Sequence, residues 1–173
     1  MTPSAVVGFR KSVGDISMIK TNAMRLLEQA KIEFETKEYE VDENDLSGET
    51  VAIKVGMDPD SVFKTLVTKG DKNGIAVFCI PVTGELDLKK AAKVTGNKKI
   101  EMVAVKDLLS LTGYIRGGCS PVGMKKQYPT YIDETVILFD RIAVSAGVRG
   151  CQMILNGEQL AEYVKAEITD LCV

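Results

Sequence analysis

With 173 residues, 45% of them hydrophobic, the chain is long enough to bury one substantial core and favours a single domain. A net charge of −2 excludes a protein that coats nucleic acid through a general excess of cations. Histidine is absent, which excludes Ser-His-Asp and Cys-His catalysis within the chain and any histidine-ligated metal site.

Any proton transfer must therefore use lysine, a carboxylate, tyrosine, cysteine, the substrate itself or water. The cysteines Cys79, Cys119, Cys151 and Cys172 show no C-x-x-C spacing, so neither a zinc site nor a thioredoxin-type pair is expected. The longest apolar runs are strand-length, and no signal peptide or membrane span is visible. The chain reads as a cytoplasmic protein with reduced thiols and no metal or cofactor. Charge is unevenly spread. Residues 28–49 hold nine acids against Lys31 and Lys37, whereas residues 88–106 hold Lys89, Lys90, Lys93, Lys98, Lys99 and Lys106 against Glu101. A near-neutral protein with one basic face can hold a polyanion in one orientation. Plain solvation is the narrowly favoured account of such a face.

In chain order, residues 1–19 have no clear period and read as a loose extension, with Met18 an alternative start. The domain proper is expected over 20–173. Residues 21–30 place Ala23, Leu26, Leu27 and Ala30 at helical spacing, with Asn22 as cap. Residues 31–41 alternate as a strand whose phase slips, which a bulge near Thr36 would reconcile. Residues 48–55 read as a helix closed by Gly56. After an Asp58-Pro59 turn, residues 62–68 alternate as a strand that sets Lys64 among apolar neighbours. An edge position, a snorkelling stem or a strand end would make that lysine unremarkable. If it is partly buried, it must meet an anion or lose its charge.

The continuous apolar run at 75–82 predicts a central strand, with Cys79 as a small core residue. A helix follows over 86–94, with Leu88, Ala91 and Ala92 inward and Lys89, Lys90 and Lys93 on its wet side. Another helix is expected over 103–111. Residues 136–139, 142–144 and 152–155 read as strands, with a turn at 145–147. Asn156 caps a last helix through Leu160, Ala161 and Val164. The pattern is an α/β domain with a mixed, strongly curved sheet.

Residues 113–126, Gly-Tyr-Ile-Arg-Gly-Gly-Cys-Ser-Pro-Val-Gly-Met-Lys-Lys, contain four glycines, one proline, three cations and no acid. Glycines let a backbone turn through positive φ and let a ligand approach the peptide groups. Successive amides in such a turn can cradle an anion. An ordinary surface loop has a similar composition.

Val62-Phe63-Lys64-Thr65-Leu66-Val67, Gly84-Glu85-Leu86-Asp87-Leu88-Lys89-Lys90, the glycine loop and Ser145-Ala146-Gly147-Val148-Arg149-Gly150 follow one another as in a known family. Over residues 20–164 the chain resembles the YbaK/EbsC-type aminoacyl-tRNA deacylases. The resemblance implies one α/β domain whose mixed sheet curls toward a barrel, with helices packed outside. It implies editing: removal of a wrong amino acid from the 3′ end of tRNA, most characteristically cysteine from proline tRNA. It also implies kinship with the editing domain inserted in bacterial prolyl-tRNA synthetases, and makes such a synthetase an expected partner.

Carried over by resemblance, Lys64 is the key lysine. Gly117, Gly118, Cys119, Ser120 and Pro121 form the loop that approaches the aminoacyl group and terminal ribose. Tyr39 borders the pocket, Ser145 precedes the glycine turn, and Arg149 falls on its Arg-Gly pair. Two positions depart from the family pattern. Val41 stands where some members have histidine, and Gln152 stands where others carry an aspartate near the amino-acid pocket. Gln152 can hydrogen-bond an α-amine but brings no charge.

The resemblance further implies substrate-assisted cleavage, in which the cysteinyl thiol attacks its own ester carbonyl and leaves as a thiolactone. Amides of residues 117–119 are expected to steady the oxyanion, and Lys64 to neutralise the terminal phosphate or departing ribose oxygen. Other classes stay open from the sequence. A binding protein of the same fold could hold aminoacyl-tRNA or a synthetase without turnover. A deacylase for another small amino acid could use water. Cys119, in glycine-rich and cationic surroundings, could be an activated thiol.

Overall fold

The computed structural model describes residues 20–173. The expected extension over 1–19, and Met18 with it, lie outside the described residues.

Helix α1, Asn22–Gln29, is capped one residue earlier than expected: the Thr21 hydroxyl, not Asn22, accepts from the Met24 N–H at 3.2 Å. It buries Ala23, Met24 and Leu27. Strand β1 spans only Phe34–Glu38 and pairs in unbroken register from Phe34↔Leu155 to Glu38↔Cys151, so no bulge sits at Thr36. The phase slip has a simpler cause. The strand ends at Glu38, and Tyr39 and Val41 already belong to the loop beyond. Helix α2, Gly48–Val55, stops at Gly56 with φ 72° as its sequence predicts, and it starts on a Ser47 cap.

A short 3₁₀ turn, Pro59–Ser61, leads into β2, Phe63–Gly70, and β3, Gly74–Pro81. β3 lies between β2 and a later strand, which is why its sequence is a continuous apolar run. Helix α3, Leu88–Thr95, is capped by Asp87 and buries Ala91 and Ala92. Leu88 is not inward but 45% exposed. Leu86, held in a bridge to Cys172 before the helix begins, fills the inner position instead.

Then come β4, Ile100–Met102; α4, Val105–Thr112; β5, Thr130–Asp133; β6, Ile142–Ser145; β7, Cys151–Leu155; α5, Gly157–Val164; and β8, Glu167–Thr169. The expected strand at 136–139 is a 3₁₀ helix, Glu134–Leu138. Asp133 starts it by accepting from the Thr135 N–H and hydroxyl, and Ile137 and Leu138 stay exposed. Asn156 caps α5 as expected, accepting from the Gln159 N–H.

The strands do not make one sheet curling toward a barrel. They divide into a five-stranded mixed sheet, β4-β2-β3-β5-β8, and an antiparallel three-stranded sheet, β1-β7-β6. The parallel bridge Val62↔Ala143 links the two at one point. Between the sheets and under α1 and α5 lies the main core, including Phe63, Cys79, Ile132, Val144, Met153, Leu155 and Leu160. A second cluster fills the space between the larger sheet and α3. A third, with Ala52, Val62, Val82, Ala143 and Ile154, packs α2 over the seam between the sheets.

Candidate active site

Where the seam opens, a cleft of ≈ 420 Å³ is walled by Leu46, Ser47, Gly48, Glu49 and Val51 at the start of α2, the first half of β2, and the glycine loop. Tyr39, Lys64, Gly117, Cys119, Ser145 and Gln152 all line it, so six expected site residues converge from the loop after β1, β2, the glycine loop, β6 and β7.

Each is positioned by its element. β2 carries Lys64, half-buried and paired in register with Ile80 of β3. Its ammonium has no hydrogen bond or ion pair among the described residues. Ser145 and Gln152 face each other across β6 and β7. The Ser145 hydroxyl accepts from the Gly147 N–H at 3.1 Å and so shapes the following turn. Gln152 is 6% exposed, and its Oε1 finds no donor. A buried acceptor left unpaired costs about 1–3 kcal/mol. Tyr39 is set by its own N–H, which donates to the Gly150 carbonyl at 2.9 Å just past the end of β1.

The glycine loop is anchored from behind. Gly117 takes φ 87°, and a Cβ there would come within 3.1 Å of Arg149 Nε. Gly118 lies against the main chain of Val148 and Arg149, where a Cβ would meet backbone at 3.1 Å. Arg149 Nε donates to the Arg116 carbonyl at 2.8 Å, and its Nη1 pairs with Glu43 at 2.8 Å. Tyr114 donates its phenol to the Val122 carbonyl and packs near Gly123 and Gly147. The Ser120 hydroxyl accepts from the Val122 N–H at 3.2 Å.

Gly118, Ser120 and Arg149 therefore stand behind the lining and hold the loop's shape, and Pro121 faces a different hollow with Leu26 and Tyr163. The Gly118 N–H is already engaged, donating to the Ile115 carbonyl at 2.9 Å. Val41 lines a small adjoining hollow with Tyr39 and Arg149 rather than the cleft.

Cys119 is not an activated thiol. Burial pushes its pKa up to about 12, and a hydrogen bond with Thr112 opposes this only in part. The cationic residues in its sequence neighbourhood do not offset that loss of solvent. Among the described residues no group of three or more acids or cysteines could hold a metal ion, and no helix is long and apolar enough to cross a membrane.

The sequence reading passed over the α2 end, Arg116 and the main chain of β2 as cleft walls. One signal was available. Gly48 opens α2 because a Cβ there would lie 2.2 Å from Val82 Cγ1, so the helix start must abut the end of β3.

The sequence profile of the aminoacyl-tRNA editing domain matches residues 43–163, which include the cleft from Leu46 to Gln152. The chain belongs to the aminoacyl-tRNA editing domain family. It is 49% identical over 152 residues to EbsC of Enterococcus faecalis, a proposed Cys-tRNA(Pro)/Cys-tRNA(Cys) deacylase, covering 88% of this chain and 93% of that one. YwhH of Bacillus subtilis, which has no assigned function, is 24% identical over 140 residues, 79% of this chain and 88% of its own. The fold matches the crystal structure of a proposed trans-editing enzyme for prolyl-tRNA synthetase with a TM-score of 0.78 at 24% identity, over 90% of this chain and 99% of that one.

Proposed function

We propose that residues 20–173 form a trans-editing aminoacyl-tRNA deacylase that removes cysteine from mischarged tRNA, tRNA(Pro) foremost. The observation that carries this reading is the meeting, in one cleft, of an ammonium and a buried carbonyl that both lack a partner among the described residues. A ligand that suits both has an electron-rich end and a hydrogen-donating end. An aminoacyl ester at the end of a polyanionic RNA has both. Family membership and the 49% identity to EbsC support the same conclusion.

In this reading Lys64 neutralises the terminal phosphate or the departing ribose oxygen. Gln152 Oε1 accepts from the α-ammonium by hydrogen bonding alone, since it brings no charge. Tyr39 and Ser145 bound the amino-acid pocket, and Gly117 and Cys119 present the loop's face to the ester. The substrate supplies the nucleophile, because the chain has no histidine and the Cys119 thiol stays protonated. The cysteinyl sulfur bonds to its own carbonyl carbon as the bond from that carbon to the ribose oxygen breaks. The thiol proton ends on the ribose hydroxyl, and the thiolactone opens in water to cysteine. Thiol and ester are held in one small molecule, so positioning supplies most of the acceleration. A prolyl-tRNA synthetase working alongside would supply the tRNA selectivity that so small a cleft does not.

Incubation with a panel of mischarged tRNAs tests the reading. The cysteinyl ester should be lost fast and the seryl ester much more slowly. The two side chains differ by one atom, which a pocket hardly discriminates by size. A thiol of pKa ~8.5 supplies thiolate at neutral pH, whereas a hydroxyl does not. Equal rates at similar affinity would make water the nucleophile, and no loss of any ester would end the deacylase reading.

A further inference from the structure

Four consecutive residues of β2, from Phe63 to Leu66, line the cleft. Successive side chains of a strand point to opposite faces, so a cavity touching four in a row meets the strand edge-on. Past the single bridge between Val62 and Ala143 of β6, that edge carries no further ladder pair among the described residues until β4 is reached. β4 pairs with β2 only over Thr68–Gly70, and the last rung is the Val103 N–H donating to the Val67 carbonyl at 3.0 Å. On the other side of β2, the Val62 carbonyl accepts from the Val82 N–H at 2.8 Å, which sets the even-numbered residues toward β3. In an antiparallel strand the N–H and C=O of one residue point the same way, alternating along the chain. Both main-chain groups of Thr65 therefore point away from β3 toward the cleft, past the Val62↔Ala143 bridge, and among the described residues no paired rung on that side includes Thr65.

An aminoacyl ester is a single amino-acid residue with an amine donor and a carbonyl acceptor on either side of its α-carbon. Those are the groups that a hydrogen-bonded antiparallel pair exchanges. Resting on the deacylase reading, we infer that the aminoacyl group docks on Thr65 as one added rung of the larger sheet. Its α-ammonium donates to the Thr65 carbonyl and its ester carbonyl accepts from the Thr65 N–H. Residues directly opposite in such a pair put their side chains on the same face. The substrate side chain thus lies alongside that of Thr65, whose hydroxyl is 3.8 Å from Cys79 Sγ. The dock reads the L-aminoacyl backbone whatever the side chain, leaving side-chain choice to the pocket around it.

The probe is 3′-cysteinylamino-3′-deoxyadenosine, whose amide resists cleavage, titrated into full-length protein labelled with ¹⁵N-threonine. The Thr65 amide should shift downfield and lose solvent exchange at saturation, with the shift tracking binding. Thr65→Pro should reduce cysteinyl-tRNA deacylation by about 100-fold, the usual loss for one donor aimed at an ester carbonyl. Proline is tolerated on an edge whose N–H is not in the ladder. Should that variant fail to fold, the amide shift decides alone. If the probe binds while the Thr65 amide exchanges as before, the docking mode is overturned and the deacylase reading stands. If the probe does not bind and no aminoacyl ester is lost, both fall together.

Discussion

Lys64 and Cys119 sit in the same cleft and invite opposite expectations. Lys64 brings a half-buried charge with no ion pair among the described residues, so its removal takes little from the fold. Lys64→Ala should leave the melting temperature unchanged or slightly higher and lower deacylation by roughly two orders of magnitude or more. Full turnover in a normally folded variant would mean that the ammonium serves only solvation. For Cys119 the thiol is protonated at neutral pH because burial raises its pKa. Cys119→Ala should therefore keep most cysteinyl-tRNA deacylation, measured as single-turnover rate, and complete loss with normal binding would restore a covalent acyl-enzyme. The sequence pointed to both residues, through the strand alternation around Lys64 and the glycines around Cys119. It could not separate the loop residues that face the ligand from those that shape the loop. Gly118 and Arg149 belong to the second kind because Gly118 abuts residues 148–149 and Arg149 holds the Arg116 carbonyl and Glu43, and no local pattern shows such tertiary contacts.

At the scale of elements, one wall of the cleft is a loop held against a turn. Tyr114 is wedged between Gly123 and Gly147 while its hydroxyl caps the Val122 carbonyl, so the loop and the Ser145–Gly150 turn move as one. Gly147 has φ 102°, and a Cβ there would stand 3.0 Å from Tyr114 Cε1. Gly147→Ala should cost about 1–3 kcal/mol in backbone strain alone and displace Tyr114 with the loop above it. Urea unfolding should show the loss, and kcat should fall more than KM rises, since a shifted loop misaligns the ester without removing a binding group. Unchanged stability and turnover would show that loop and turn are independent. Elements with strong local signals were legible: α2 between Ser47 and Gly56, α5 after Asn156, and the all-apolar β3. β4, β5 and β8 are three or four residues long, too short for a period to register, and each exists because a longer neighbour supplies its ladder. The division into two sheets was not legible either, since it depends on which edges pair and not on the periodicity of any strand.

For the whole molecule, the buried thiols set a limit on stability at high pH. Cys79 lies in the main core beneath the cleft. Burial, reinforced by the nearby Cys119 and only partly opposed by Thr65, raises its pKa from 9.0 to about 12. The Cys119 pKa is raised to about 12 as well. Below pH 9 these thiols are protonated in both folded and unfolded chains, and folding carries no proton linkage from them. Above that value the unfolded chain releases protons that the folded chain retains, so each unit of pH favours unfolding. The stabilisation is thus present in full below about pH 9 and is lost as pH rises toward about 12. Cys79 alone should cost roughly 2 kcal/mol by about pH 10.5. Tyr114, whose buried phenol is raised from 10.0 to about 12, adds to the decline in the same direction. Urea midpoints measured from about pH 8 to 11 should therefore fall more steeply for the wild type than for Cys79→Ala. The alanine variant loses packing by an amount that does not depend on pH, so the difference in slope isolates the thiol. Parallel slopes would show that Cys79 titrates in the folded protein as it does in water, and that the core beneath the cleft is open to solvent.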